Sequence, residues 1–352
     1  MAIRIGIIGT GGMANAHAEN FKKIPGVQLT ACCDISADRL KAFAAKHGIK
    51  KKFNDYREML DFKSLDAIAN VTPDAAHAEV SLAVIKKGLA VLCEKPLATT
   101  LADAQAMAAA AKKVGVVNMV NFSYRNSCAL HAAAKLVRDG GIGRVLHVES
   151  SYLQSWLCSK VWGDWRAAPA MQWRLSTAAG SAGTLGDIGC HIFDLTTYVA
   201  GDIAKIGCSL ATYDKGFPNN RVGDMVMDAN DSFVANVTFA NTALGTVHSS
   251  RWATGHVNSL RCRVYGDKGA VELDLDRSYS EYRLCGGKNV DTGKWKTVRC
   301  EPTPTNYERF VTCVKAGKSD DNDFANGVKI QAYLHYCFES AAKKRPVDVK
   351  FE

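Results

Sequence analysis

The stretch IRIGIIGTGGMA, Ile3 to Ala14, decides the fold. Its first half is an isoleucine-rich strand, and GTGGMA, Gly9 to Ala14, is the turn that follows. This is the G-x-G-x-x-G/A fingerprint in a strand–turn–helix setting. Gly9 permits the tight turn, Gly11 lets the backbone approach a pyrophosphate, and Ala14 is small enough for helix to pack on strand. Gly12 and Met13 open the helix, whose first N–H groups and positive dipole end attract phosphate. Asp34 lies 20 residues after Ala14, at the end of the second strand, where an acid holds ribose hydroxyls. An aspartate repels a 2′-phosphate, so NAD is expected ahead of NADP. Arg39, five residues on, leaves NADP open, because it could swing towards that phosphate or stay on a helix surface.

Outward from this turn, strands and helices alternate. VQLTACCD, DAIANV, LAVLCEK and VVNMVNF read as strands. Between them, SADRLKAFAAKHG is a helix with Ser36 as N-cap and Gly48 as its stop, and PDAAHAEVSLAVIKKG and TLADAQAMAAAAKKVG are two more. Near-continuous apolar strands separated by amphipathic helices imply a doubly wound parallel sheet covered on both faces, here over residues 1–122. From residue 123 to 352 the texture changes. After a helix near Ser127–Arg138, the segments SFVANVTFA, ALGTVHSSRW, SLRCRVYG and AVELDL alternate with period two, which predicts a large, mostly antiparallel open sheet in an α+β domain. A last helix over about Gly327–Lys344 closes the chain and is expected to pack back on the first domain.

Composition excludes several classes. A chain of 352 residues with 47% hydrophobic and 22% charged residues is ordinary for a two-domain globular protein. No apolar run approaches the roughly 20 residues that span a bilayer, and the opening residues lack the pattern of a signal peptide, so a cytoplasmic protein is expected. Twelve cysteines occur without a CxxC pair, as expected of buried thiols in a reducing compartment. The net charge of +9 is dispersed and carries no nucleic-acid motif.

Two further motifs carry chemistry. Glu94-Lys95-Pro96 ends a parallel strand, where open α/β sheets put their ligands. GDIGCHIFD, Gly186 to Asp194, puts Asp187, His191 and Asp194 on one face if it is a regular helix. With GTGGMA, TPDAAH (Thr72 to His77) and EKPLA (Glu94 to Ala98), these motifs resemble the Gfo/Idh/MocA oxidoreductase family over almost the full length. The resemblance implies that Lys95 lies beside the nicotinamide and the reacting carbon, with Asp187 and His191 supplied by the second domain. It implies that Thr72, Pro73 and Glu94 line the cofactor, with His77 in the same motif, and that the open sheet makes a homodimer or homotetramer.

The chemistry agrees. Oxidising a secondary alcohol needs a base for the hydroxyl proton and a cation for the developing alkoxide. His191 suits the first role, Lys95 the second, and Asp187 can anchor another hydroxyl. No metal is expected: a zinc reading of Asp187, Cys190 and His191 lacks a partner pair. WGDWRAAPAMQWRL, Trp162 to Leu175, puts Trp165, Trp173 and Arg174 in a segment suited to a sugar face or to plain packing. Tyr124 and Arg125 are pocket-wall candidates by resemblance, and the tryptophan-rich segment before a glycine-rich loop resembles levoglucosan-type more than inositol dehydrogenases. The expectation is therefore an NAD(P)-dependent dehydrogenase of a sugar, anhydrosugar or cyclitol. The alternatives are a glycoside-cleaving enzyme that retains NAD and a non-catalytic NAD-binding regulator.

Overall fold

The computed structural model describes residues 2–351. The chain divides into two compact units, residues 1–123 with 304–331, and residues 124–303 with 332–352.

In the first unit the elements run β1 (Ile3–Ile8), α1 (Gly12–Lys22), β2 (Val27–Cys33), α2 (Ala37–His47), β3 (Lys51–Phe53), α3 (Tyr56–Leu60), β4 (Ala67–Asn70), α4 (His77–Lys86), β5 (Ala90–Cys93), α5 (Leu101–Val114) and β6 (Asn118–Val120). The strand order is β3-β2-β1-β4-β5-β6, and every pair is parallel. The order reverses between β1 and β4, which is where such sheets open a crevice at their carboxyl ends. Gly9, Asp34, Thr72, Glu94 and Asn121 all fall just past a strand end on that edge. Local signals fix the helices: the Ser36 side chain accepts from Arg39 N and caps α2, and Thr100 accepts from Asp103 N and caps α5.

The change of sequence texture puts the domain boundary at residue 122, but the structure also groups residues 304–331 with the first unit. The reason is apolar burial. Tyr307, Phe310, Val311 and Cys313, on the helix Asn306–Ala316, join Ile5, Ile7, Ala18 and Phe21 in one core cluster. Burying a side chain such as Phe310 contributes about 1.5–3 kcal/mol, enough to hold this helix against α1.

The second unit contains α6 (Cys128–Arg138), β7 (Val145–Leu153), the short α7 (Pro169–Gln172) and α8 (Cys190–Ala200). Next come β8 (Ile203–Ala211), a small ribbon of β9 (Arg221–Val222) and β10 (Met225–Val226), β11 (Ser232–Phe239), β12 (Leu244–Ser250), β13 (Ser259–Gly266), β14 (Gly269–Asp274), β15 (Glu281–Gly286) and β16 (Lys296–Arg299). The helix Asn306–Ala316 is α9, and α10 (Phe324–Lys343) and β17 (Val347–Asp348) end the chain. The nine-stranded sheet has the order β16-β15-β14-β13-β7-β12-β11-β8-β17, antiparallel throughout except for β7 with β12. Period-two patterning explains its faces: in β11, Phe233, Ala235, Val237 and Phe239 are buried while Val234 and Asn236 are exposed. Phe193 of α8 stacks on Phe233, with ring centroids 5.9 Å apart.

Candidate active site

Gly9 sits at φ +88°, and a Cβ there would lie 2.5 Å from the Val71 carbonyl oxygen, so only glycine fits this crossing. At Gly11 and Gly12 an added Cβ meets nothing within 4 Å, which leaves the backbone open on the side where a pyrophosphate approaches. Gly11 is also the N-cap of α1, with no side-chain cap and no acid in the first turn, so the first N–H groups stay available to an anion. A cavity of about 350 Å³ borders Thr10, Gly11, Gly12, Asn15, Arg39 and Lys46. The residues present therefore fit a dinucleotide.

Asp34 is buried and oriented by Thr10, Ser36 and Arg39. Its Oδ2 accepts from Thr10 N (2.8 Å) and Thr10 Oγ1 (2.9 Å), and its Oδ1 from Ser36 N (2.8 Å) and Arg39 Nη2 (2.9 Å). Burial opposes its ionisation, but the hydrogen bonds from Arg39, Ser36 and Thr10 outweigh it and hold the carboxyl below its usual range. Arg39 is thus tied to Asp34, which tells against its reaching freely for a 2′-phosphate. Asp34→Ala is expected to weaken NAD binding at least tenfold, since each hydrogen bond to a charged group is worth about 1.5–3 kcal/mol. NADP binding should change far less, as the lost repulsion compensates. Titration of both cofactors checks this, and equal weakening would contradict the ribose assignment.

Glu94 is the hub beneath the Lys95 turn. Its Oε1 meets His17 Nε2 at 2.6 Å and accepts from Asn121 Nδ2 at 2.7 Å, and its Oε2 accepts from Lys95 N at 3.2 Å. Tyr307 stacks edge-on to His17, and Asn306 Nδ2 donates to Asn121 Oδ1 at 3.2 Å. Burial raises the Glu94 carboxyl, but His17 and Asn121 outweigh it and bring it down to about 2. A carboxyl depressed below its ordinary 4.5 stabilises the fold at neutral pH and loses that contribution as pH falls through about 2. The stability difference between wild type and Glu94→Gln, measured by denaturant unfolding, should therefore close on acidification through that window. A difference independent of pH would contradict this account.

His77 is wholly buried. Its Nδ1 meets the Pro96 carbonyl at 2.7 Å and its Nε2 the Thr72 carbonyl at 2.9 Å. Both partners only accept, so both ring nitrogens donate and the imidazole is protonated. Burial disfavours that charge, but Cys93, Asp74 and the Pro96 carbonyl outweigh it and raise the group to about 9. His77 therefore stitches the Thr72–Pro73 turn, which the resemblance assigns to the cofactor, to the Lys95–Pro96 turn. Thr72 is held in place by Asn70, its Oγ1 donating to Asn70 Oδ1 at 2.7 Å. Lys95 itself is half-buried.

In the second unit, GDIGCHIFD is not one regular helix. Leu185–Gly189 form a π-helical turn, and α8 begins at Cys190. Gly186 is required by space, because a Cβ there would lie 2.3 Å from that of Ala182. The wider turn shifts Asp187 relative to His191 and Asp194, which stay together on α8, and each of the three meets its own partners. Asp187 keeps 27% of its side chain exposed and pairs with Arg251 (2.7 Å) and Arg174 (3.6 Å). His191 is 7% exposed, with the Tyr124 ring edge-on at 4.9 Å and Tyr152 at 6.3 Å. Asp194 is buried and accepts both Nε (2.9 Å) and Nη2 (2.7 Å) of Arg125.

That ion pair fixes Arg125, a pocket-wall candidate by resemblance, from inside the second unit. Its guanidinium is buried, committed to Asp194 and stacked 4.2 Å from the Tyr198 ring centroid. For Trp165 the structure shows the packing alternative. It is 1% exposed in a small core with Trp156, Leu157, Leu175 and Met227, so it packs the loop instead of presenting a sugar platform. Trp173 stays 36% exposed, with the Arg174 guanidinium 4.7 Å from its ring centroid.

Tyr124 and Tyr152, whose rings flank His191, share a hydrogen-bonded cluster in which Tyr152, Gln154 and Asn258 escaped the sequence reading. Tyr124 Oη meets Tyr152 Oη at 2.6 Å, Tyr152 Oη donates to Asn258 Oδ1 at 2.6 Å, and Gln154 Nε2 donates to the same oxygen at 2.9 Å. Burial drives the Tyr152 phenol well above its ordinary range, so it stays protonated. No local signal marks Asn258, which lies more than a hundred residues from Gln154 and Tyr152 in the chain. Among the described residues no three His, Cys, Asp or Glu side chains form a metal-binding group, and no helix is long and apolar enough to cross a membrane.

Comparison with known proteins matches both parts of the chain. Residues 3–122 match the oxidoreductase family with an NAD-binding Rossmann fold, and residues 130–272 match the GFO/IDH/MocA C-terminal domain. Levoglucosan dehydrogenase of Pseudarthrobacter phenanthrenivorans is 27% identical over 99% of this chain and 98% of its own length. Myo-inositol 2-dehydrogenase of Thermotoga maritima is 30% identical over 77% of this chain and 75% of its own. Among solved structures, levoglucosan dehydrogenase in complex with NADH and levoglucosan aligns with a TM-score of 0.89 and 27% identity over the full length of both chains.

Proposed function

The chain belongs to the Gfo/Idh/MocA oxidoreductase family, and from that premise we propose that it is an NAD-dependent dehydrogenase of a sugar, anhydrosugar or cyclitol. It oxidises a secondary ring hydroxyl or runs the reverse reduction. The observation that carries this reading is the whole-length likeness to a dehydrogenase solved with NADH and its sugar, in a chain that has the dinucleotide cradle together with Lys95, Asp187 and His191.

Gly9, Gly11, Gly12 and Met13 would hold the pyrophosphate, Asp34 the ribose, and Thr72, Pro73 and Lys95 the nicotinamide end. Bound NAD supplies a hydride acceptor. The chain's own groups manage the proton and the charge. His191 takes the hydroxyl proton, the Lys95 ammonium stabilises the developing alkoxide, and the Asp187 carboxylate accepts a hydrogen bond from a second hydroxyl. Tyr124, Trp173 and Arg174 are assigned to the substrate, with exposed Trp173 and the cationic Arg174 suited to a ring face and its hydroxyls. The committed Asp34–Arg39 pair favours NAD over NADP.

A homo-oligomer is assigned to the open sheet, whose outer face exposes Val234 and Leu244 on the adjacent strands β11 and β12. Light scattering during gel filtration tests it, with a dimer or tetramer expected and a monomer against it. A cytoplasmic location fits twelve cysteines held as free thiols.

The test is a near-ultraviolet assay of NAD reduction over sugars, anhydrosugars and inositols, with NADP in parallel. Steady NADH formation with one compound class supports the reading and names the substrate. Absent turnover, with NAD released on denaturation, would assign instead the glycoside-cleaving use of a retained cofactor.

A further inference from the structure

The second unit buries an arginine that no sequence motif marks. Arg251 immediately follows β12, its side chain is 0% exposed, and its backbone N donates to the Asp231 carbonyl at 3.0 Å. Nη1 donates to the Arg174 carbonyl at 3.1 Å and Nη2 to Asp187 Oδ2 at 2.7 Å. The guanidinium also lies 5.1 Å from the ring centroid of Trp156, which is itself 1% exposed and donates from Nε1 to Gln154 Oε1 at 3.1 Å.

This is a costly place for a charge. Burial lowers the affinity of the guanidinium for its proton, and among the described residues Nε finds no hydrogen-bond partner. The next buried carboxylate, Asp231, is engaged by Lys215 at 2.7 Å. Asp187 is therefore the carboxylate that Arg251 contacts, and it is the only partly exposed member of the pair. A protein that merely needed packing here would gain by an apolar side chain of similar volume. What the arginine supplies is a fork: one arm fixed on a backbone carbonyl, the other on a carboxylate that faces outward. Lysine could not hold both. Arg174, 36% exposed and 3.6 Å from the same oxygen, is a looser second contact.

We propose that Arg251 is a positioning residue: from inside the unit it fixes the Asp187 carboxylate in one orientation, so that Asp187 serves the substrate as a preset hydrogen-bond acceptor and the proton transfer is left to His191. Arg251 acts wholly through Asp187 and does not touch the substrate. The inference rests on the reading of Asp187 as the substrate anchor given above.

The test is a double-mutant cycle on kcat/KM for the substrate that the compound panel identifies, with the KM for NAD and the melting temperature read alongside. Asp187→Asn is expected to lower kcat/KM at least a hundredfold. Arg251→Met should lower it ten- to a hundredfold, mainly through the substrate KM, with the KM for NAD unchanged. Arg251→Lys should recover part of the loss. The double variant should be no worse than Asp187→Asn alone, because the two residues work as one unit. Should Arg251→Met not fold, the same cycle is run with Arg251→Lys. Penalties that simply add, or a wild-type kcat/KM in the Arg251 variant beside a crippled Asp187→Asn, would overturn the proposal while leaving the anchor intact. A wild-type Asp187→Asn would instead remove the anchor, and the proposal with it.

Discussion

Lys95→Ala is expected to lower kcat by about a thousandfold, the scale of losing a donor that stabilises developing negative charge. The fold should persist, because the backbone around Lys95 is held by other groups. Its amide donates to Glu94, and the following Pro96 carbonyl is bound by the buried His77 imidazole. The variant should therefore keep its melting temperature, while turnover with the sugar collapses even at saturating NAD. A rate near wild type would take Lys95 out of the mechanism, whatever the family likeness. A loss of NADH binding with the rate at saturation intact would make it a cofactor residue alone.

The second large effect is expected at His191. Replacing it with asparagine removes the proposed proton acceptor and should cost about 10²–10⁴ in the rate of alcohol oxidation. In the wild type, oxidation should fall on the acid side as the base becomes protonated and can no longer accept. That limb should be lost from the residual activity of the variant, which a pH profile of kcat/KM reads directly. The ring lies edge-on to Tyr124 on the buried helix α8, so a thermal melt alongside separates chemistry from packing. An unchanged acid limb in His191→Asn would mean that another group carries the proton.

The first unit was legible because its signals are local. The glycine turn, the Ser36 cap and the acid after β2 each announce a backbone conformation within a few residues, and the structure has them all. The open sheet was legible for the same reason, through period-two alternation along single strands such as β11. What stayed hidden depends on contacts between distant residues. Nothing near Arg125 tells that Asp194 neutralises it, and nothing near Trp165 tells that Leu157 and Met227 enclose it. The spacing of Asp187, His191 and Asp194 suggested one regular helical face, yet the π-helical turn at Leu185–Gly189 sets Asp187 apart from the other two, where it meets Arg251. Nothing in the sequence ties the helix Asn306–Ala316 to the glycine-turn domain, but its Tyr307 and Phe310 join the first core.

In the proposed reaction hydride leaves a ring carbon for free NAD, and the cofactor turns over. The most direct measurement uses the active sugar labelled with deuterium at the oxidised carbon, with NAD in large excess over enzyme and the free nicotinamide analysed by mass spectrometry. The account predicts one deuterium in each NADH released, with product far exceeding the enzyme present. Free nicotinamide without label, or label confined to cofactor that stays with the protein, would contradict it.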